Sequence, residues 1–225
     1  MGSVTGDSVF DAMGFVLAGG RSSRMGSDKG LVELEGRPLI EWAIGTLQAA
    51  GIPVRIAGAR EEVRGRLEEY AAVVPDAAPG HGPLAGICAG LSSTMAAHAV
   101  FLPVDVPLMP PALIRYLIRH AQITGAVVTV ASVNGLPQTF PAVIARGMRP
   151  ALDKRLRNRE LGCLAAFEAA AVELGQKMAV IPAEVLVQCG QVAHPDALSV
   201  IRWFMNVNTG PDLRLASSMR QARVS

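Results

Sequence analysis

The stretch LAGGRSSRMGSDKG, residues 17–30, follows a short apolar run and decides how the chain begins to fold. The run Gly14–Ala18 has the length and flanks of a buried β-strand, so residues 17–30 form the loop that leaves the first strand. Backbone N–H groups of a glycine-rich turn point toward a bound anion, and Arg21, Arg24 and Lys29 supply the opposite charge. The stretch therefore predicts either an anion cradle or a surface loop with solvated cations.

Two familiar phosphate-binding patterns are absent from this loop. Gly20 and Gly26 have the spacing of a Walker loop, but Ser27-Asp28 follow where that loop has Lys and Ser or Thr. Gly19 and Gly20 are adjacent, which does not fit the G-x-G-x-x-G pattern of dinucleotide-binding folds. The loop is therefore neither a P-loop nor a dinucleotide fingerprint.

Strand and helix patterns alternate along the rest of the chain. Strands are predicted at 14–18, 54–57, 71–74, 98–105, 126–132 and 138–145, and helices at 39–51, 60–70, 84–96 and 111–122. Asn134-Gly135 is a hairpin signal between the last two strands. The alternation predicts an α/β fold with three layers, α/β/α, and a mostly parallel sheet with one antiparallel strand. We predict a single domain over residues 1–225, with residues 1–12 as a loose tail.

Composition and charge exclude several classes of protein. Half of the residues are hydrophobic and the formal net charge is +2, which argues against a general nucleic-acid coat. No apolar run is long enough to span a membrane, and the N-terminus lacks the basic region of a secretory signal. The widely spaced Cys88, Cys163 and Cys189 favour reduced core thiols. We therefore expect a cytoplasmic protein with neither a nucleic-acid nor a membrane partner.

Three loops follow predicted strands: residues 17–30, PDAAPGHGP (75–83) and VDVP (104–107). Ligands of such sheets bind outside the carboxyl ends of the strands, so the three loops are expected at one edge. Asp105 ends an apolar run there, and it is either a magnesium ligand or the cap of the helix that begins near Pro110. Magnesium takes one or two carboxylates together with substrate phosphates, which favours the metal interpretation beside an anion cradle.

Four blocks together resemble the molybdenum cofactor guanylyltransferases, the MobA family. They are residues 17–30, GPLAG (82–86), VDVP (104–107) and NVNT (206–209), in the family's order. The resemblance covers residues 13 to 216, and LAGG together with GPLAG favours the guanylyl branch over the cytidylyl branch. It implies a Rossmann-like nucleotidyltransferase sheet that transfers GMP from GTP to the terminal phosphate of molybdopterin with Mg²⁺. The expected protein partners are molybdenum insertion factors and molybdoenzymes.

The resemblance also implies roles for individual residues. It implies that Arg24, Lys29 and Asp105 are catalytic. It implies that the metal binds to Asp105 and Asn208 and that the acceptor contacts Asn206 and Asn208. The residues that it implies for nucleotide binding are Leu17, Ala18, Gly19, Gly20, Lys29, Asp76 and Asp105. On this basis residues 13–135 form a nucleotide-binding half and residues 136–216 an acceptor-binding half.

The chain departs from the family pattern at several places. The late block continues Gly210-Pro211-Asp212, a shifted proline that could alter how the last helix starts, and AGAR (57–60) lacks a polar Asn found in some members. The basic run DKRLRNRE (153–160) is either a solvated helix face or a cationic flap over the acceptor phosphate. Two other functions stay open: a related nucleotidyltransferase acting with CTP or on a sugar or alcohol phosphate, and a non-catalytic nucleotide- or pterin-binding accessory protein.

Overall fold

The first strand of the chain lies inside a six-stranded sheet, and the glycine-rich stretch follows it in the sequence. The computed structural model describes residues 10–19, 28–76, 78 and 80–221. The strands are β1 (Ala12–Leu17), β2 (Glu33–Leu34), β3 (Arg37–Pro38), β4 (Val54–Ala57), β5 (His98–Pro103), β6 (Val128–Val133), β7 (Leu136–Ala145) and β8 (Met178–Pro182). The helices are α1 (Leu39–Ala49), α2 (Glu61–Leu67), α3 (Pro83–Ser93), α4 (Pro111–Thr124), α5 (Arg149–Arg157), α6 (Cys163–Glu173), α7 (Ala183–Gln188), α8 (Val200–Trp203) and α9 (Gly210–Gln221), with 3₁₀ turns at Lys29–Leu31 and Arg146–Met148.

The strand order of the main sheet is β4-β1-β5-β7-β6-β8. β1 pairs in parallel with β4 and β5, and β6 pairs in parallel with β8. β7 is antiparallel to both β5 and β6, and Asn134-Gly135 makes the turn of the β6–β7 hairpin. The predicted mostly parallel sheet with one antiparallel strand is therefore confirmed. β2 and β3 form a separate two-stranded hairpin.

Alternate side chains of the central strands supply two cores, one on each face of the sheet. Val16 of β1 packs with the buried side chains of α1 and α4, whereas Phe15 packs with those of α3, α5 and α6. Phe15 stacks on Phe101 of β5, with ring centroids 5.3 Å apart. This alternation is the period-two pattern of a strand buried on both faces, and it makes the three layers of the predicted α/β/α architecture.

Most predicted helices and strands differ from the observed ones by one to three residues at their ends, and two segments differ in kind. Residues 10–12 belong to the fold rather than to a loose tail, because Phe10 is buried and Ala12 begins β1; residues 1–9 lie outside the described residues. The predicted strand 71–74 is reduced to one parallel bridge between Val73 and Ile56. The backbone of residues 72–74 still bonds to Ile56 on both sides, but the segment leaves the sheet at Pro75.

The basic run DKRLRNRE forms the end of α5 and the turn after it. The ammonium of Lys154 lies 2.9 Å from Glu173, and Arg155 lies 2.8 Å from both Glu160 and Glu173. These contacts between partly exposed side chains favour the solvated helix face over a flap. Within the described part of the chain, no helix is both long and apolar enough to cross a membrane.

Candidate active site

Lys29, Asp105 and Asn208 meet at the edge of the sheet where the parallel strands end. The Lys29 ammonium donates to Oδ2 of Asp105 at 2.6 Å and also donates to Oδ1 of Asn208. The Lys29 and Asp105 side chains are 15% and 19% exposed, so the ion pair is shielded from solvent without being cut off from it. Three predicted site residues, far apart in sequence, thus form one cluster.

Backbone hydrogen bonds fix Asp105 directly after β5. The N–H of the preceding Val104 donates to the carbonyl of Leu17 at 3.2 Å, and the N–H of Val207 donates to the carbonyl of Asp105 at 2.8 Å. The second bond anchors the NVNT block against the strand end and leaves Asn206 and Asn208 exposed on either side of buried Val207. The helix-cap alternative for Asp105 is wrong, because Pro110 is the N-cap of α4, and among the described residues the Asp105 carboxylate bonds to Lys29 and not to that helix.

A reciprocal cap at the start of α9 holds Asn208. Oδ2 of Asp212 accepts the N–H groups of Asn208 and Thr209, at 2.9 and 2.8 Å, and the Thr209 hydroxyl at 2.8 Å. The Thr209 hydroxyl accepts in turn from the N–H of Asp212, which completes a capping box. The N–H of Asn208 and the hydroxyl of Thr209 hold the pKa of Asp212 below its usual value. The shifted Pro211 is therefore accommodated within a regular helix start.

The turn that carries Lys29 has its own support, which the sequence patterns did not reveal. Asp28 caps the turn, and its Oδ1 accepts the N–H of Gly30 at 3.1 Å. Its Oδ2 accepts from the guanidinium of Arg60, also at 3.1 Å. The Asp28 carboxylate is only 2% exposed. The sequence shows Arg60 as a charged residue shortly after β4, but its contact with Asp28 is visible only in the folded chain.

Three glycines let backbones approach closely beside the cluster. A Cβ on Gly19 would lie 2.6 Å from the carbonyl oxygen of Gly58, and a Cβ on Gly86 would lie 3.1 Å from the Cα of Gly58. Gly58 has a φ of +72°, which favours glycine. The residues after β1 and β4 therefore pack closely against each other and against the start of α3, with little room for a side chain at these three positions.

The other residues predicted to bind the nucleotide are not hydrogen-bonded to the Lys29 cluster where the structure describes them. Leu17 and Ala18 are buried, and the N–H of Ala18 donates to the carbonyl of Ala57 at 3.0 Å. Asp76 lies in the loop beyond Val74, where its Oδ1 accepts the N–H of Ala78 at 2.9 Å. Within the described chain, Asp76 forms no hydrogen bond or ion pair with the Lys29 cluster. Gly20 and Arg24 lie outside the described residues.

The donor set at the cluster fits a divalent cation that also binds phosphates. Oδ1 of Asp105 is buried and has no hydrogen-bond partner among the described residues. Carboxylate and amide oxygens are ligands that Mg²⁺ prefers, and it commonly uses one or two carboxylates plus substrate phosphates. No group of three or more His, Cys, Asp or Glu gathers in the described ranges, so a metal here would rely on such phosphates. The ammonium beside it is a natural phosphate contact.

The fold and this cluster define a class of enzyme. Residues 14–174 match the family model described as "MobA-like NTP transferase domain". The chain belongs to this family and is a nucleotidyltransferase.

Relatives of the chain carry more particular names. It is 31% identical over 212 residues to the probable molybdenum cofactor guanylyltransferase of Haloferax mediterranei, covering 92% of this chain and 93% of that protein. It is 33% identical over 216 residues to the probable molybdenum cofactor guanylyltransferase of Pelotomaculum thermopropionicum, covering 95% of each. The crystal structure of molybdopterin-guanine dinucleotide biosynthesis protein A from Archaeoglobus fulgidus covers 93% of this chain with a TM-score of 0.76. Its sequence identity is 22%, and 99% of that chain is covered, so this likeness shows the fold alone.

Proposed function

We propose that this chain transfers GMP from GTP to the terminal phosphate of molybdenum-loaded molybdopterin and releases pyrophosphate. The observation that carries the proposal is the contact of Lys29 with Asp105 and Asn208 at the carboxyl edge of the sheet. It is supported by the relatives named molybdenum cofactor guanylyltransferase, which match this chain over nearly its whole length.

The reaction needs no strong general base. An oxygen of the acceptor phosphate attacks the α-phosphorus of GTP, and the bond from that phosphorus to the bridging oxygen of the β-phosphate breaks. The acceptor is a phosphate monoester whose second pKa is about 6, so it is already largely dianionic at neutral pH. Catalysis then reduces to alignment, charge neutralisation and stabilisation of the leaving pyrophosphate.

Lys29 and Asp105 carry the charges that this chemistry requires. We assign the Lys29 ammonium to the phosphates of GTP, where it stabilises the negative charge that develops on pyrophosphate. We assign Arg24, in the glycine-rich loop, to the same phosphates. Asp105 would hold a Mg²⁺ ion through its carboxylate, with Asn208 as a second oxygen donor. When bound, the ion neutralises phosphate charge and orients the reacting groups.

We place the nucleotide beside this cluster, at the carboxyl edge of the sheet where Gly19 follows β1. We assign GTP to residues 13–135, with Leu17, Ala18, Gly19, Gly20 and Asp76 as its further contacts. We assign the acceptor to residues 136–216, with Asn206 and Asn208 at the boundary between the two halves. GTP and molybdopterin are then the small-molecule substrates, used in the cytoplasm, and insertion factors or molybdoenzymes receive the product.

The proposal is tested by pyrophosphate release from the purified chain with Mg²⁺, GTP and molybdenum-loaded molybdopterin. Release that requires all three components is the expected result, with CTP supporting much less. A preference for CTP would contradict the guanylyl assignment. Binding of GTP without any release would indicate a non-catalytic accessory protein instead.

A further inference from the structure

The buried carboxylate of Asp28 stands directly before Lys29 and needs an opposite charge. A buried ionised carboxylate is costly unless it is paired and hydrogen-bonded. Among the described residues, Arg60 is the one cation within ion-pair distance, with its guanidinium 3.1 Å from Oδ2. The Asp28 side chain is 2% exposed and that of Arg60 is 44% exposed. Water can therefore solvate the Arg60 charge if the pair is broken, whereas the buried Asp28 carboxylate would lose its one opposite charge among the described residues.

The same carboxylate closes the turn that carries Lys29. Its other oxygen, Oδ1, accepts the N–H of Gly30, and its backbone carbonyl accepts the N–H of Leu31 at 3.0 Å. Gly30 is buried against Leu67 and Ile40, which keeps the turn close to the Asp28 side chain. Lys29 therefore directly follows Asp28 and is followed by Gly30 and Leu31, whose N–H groups both donate to Asp28.

Arg60 lies in a different loop from Asp28, between β4 and α2. It follows β4, the edge strand beside β1, and its backbone caps α2. The ion pair thus ties the loop after β4 to the turn after β1, across 32 positions of sequence.

We propose that Arg60 is a positioning residue: by pairing with Asp28 it fixes the turn that places the Lys29 ammonium between Asp105 and Asn208. Without the guanidinium, the buried Asp28 carboxylate loses its ion-pair partner and is expected to turn toward water. If the carboxylate turns, the hydrogen bond from the N–H of Gly30 breaks, and the backbone at Lys29 is no longer held in place. The proposal rests on the proposed function, because it assigns Arg60 to the phosphate clamp of that reaction.

The test is epistasis between Arg60 and Lys29. Arg60→Ala is expected to lower kcat/KM for GTP by about 10- to 100-fold, the cost of a small misplacement of a catalytic group. The affinity for Mg·GTP is expected to fall in parallel. In a Lys29→Ala background, Arg60→Ala should change that affinity by less than about twofold, because contributions made through one group do not add.

Three further variants separate positioning from other roles. Arg60→Lys can still form the single contact to Oδ2 and should restore most of the affinity. Asp28→Asn removes the charge that Arg60 balances, so Arg60→Ala should add little in that background. Arg64→Ala is the matched control on α2, because the ion pairs of this side chain with described residues are those to the exposed Glu61 and Glu68. It should leave affinity and turnover within about twofold.

An equal loss of affinity on Arg60→Ala in the unchanged chain and in the Lys29→Ala background would overturn the proposal, since Arg60 would then act directly on the ligand. Because affinity is measured separately from transfer, the two proposals fail separately. Epistasis in Mg·GTP binding without pyrophosphate release supports the positioning role and contradicts the transferase proposal. Pyrophosphate release together with additive effects of the two substitutions on Mg·GTP binding supports the transferase proposal and contradicts the positioning role. Absence of Mg·GTP binding by the unchanged chain would contradict both.

Discussion

The Lys29 ammonium lies 2.6 Å from Oδ2 of Asp105, which joins the turn after β1 to the end of β5 across 76 positions of sequence. The pair is mostly shielded from solvent, and the other carboxylate oxygen of Asp105 has no partner among the described residues. Removing one member of a shielded pair leaves the other charge uncompensated. Every variant of this pair therefore requires a stability measurement beside the activity measurement.

Lys29→Ala and Asp105→Asn should each abolish most of the turnover. Removing one group that stabilises developing charge typically costs about 10²- to 10³-fold in kcat. The measurement is the rate of pyrophosphate release at saturating GTP, with thermal unfolding recorded on the same samples. Lys154→Ala is the matched control, because that lysine forms an ion pair with Glu173 on the helical surface. Turnover by Asp105→Asn at the unchanged rate would remove Asp105 from the catalytic cluster.

The cap formed by Asp212 should make both Asn208 and the last helix sensitive to acid. The pKa of Asp212 is depressed in the folded chain, so its stabilisation is fully present above the usual value of 3.8 and is lost as the pH falls through the folded pKa. The gap in melting temperature between the unchanged chain and Asp212→Ala should therefore be widest near neutral pH and close below pH 3.8. A gap that is constant from neutral pH to well below that value would contradict this role of the carboxylate.

Glycine substitutions test the close backbone approach beside the cluster. Gly19→Ala places a Cβ 2.6 Å from a backbone oxygen, which cannot move aside as the end of a side chain would, so the affinity for Mg·GTP and the melting temperature should both fall. Gly65→Ala is the control, because its Cβ meets nothing within 4 Å inside α2. Replacing a glycine within a helix by alanine should stabilise the chain by about 0.5–1 kcal/mol. Unchanged nucleotide affinity in Gly19→Ala would argue against a ligand at this position.

The three cysteines should differ sharply in reactivity. Burial raises the pKa of Cys88 to about 12 and that of Cys163 to about 11, so both remain protonated and covered at pH values where thiol reagents are used. Cys189 is exposed, contrary to the prediction that all three are core thiols. A maleimide should label one thiol per native chain and three after denaturation. Rapid labelling of the Cys189→Ser variant in native buffer would contradict this burial.

Sequence patterns predicted the elements that positioned the cluster. A buried strand followed by a glycine-rich loop located β1, and the apolar run ending at Asp105 located β5. The rule that ligands gather at the carboxyl ends of parallel strands then predicted that these loops share one edge. The Lys29–Asp105 contact agrees with that prediction, because strand direction alone is enough to bring the two loops together.

Other features required the folded chain. The Asp28–Arg60 pair depends on the distance between two loops, which hydrophobic periodicity does not encode. The segment 71–74 has the composition of a strand, but only Val73 bridges to β4 before Pro75. β8 is absent from the predicted strands, and as an edge strand it shows only a weak burial alternation.

Tracing the fate of the α-phosphorus tests the central claim most directly. GTP carrying a radioactive α-phosphorus is incubated with Mg²⁺, molybdenum-loaded molybdopterin and either the unchanged chain or Asp105→Asn. The account predicts that the label enters a guanine dinucleotide of the pterin with the unchanged chain, in step with pyrophosphate release, and stays in GTP with the variant. Label recovered in free GMP or GDP, or an equal yield of labelled dinucleotide from Asp105→Asn, would contradict it.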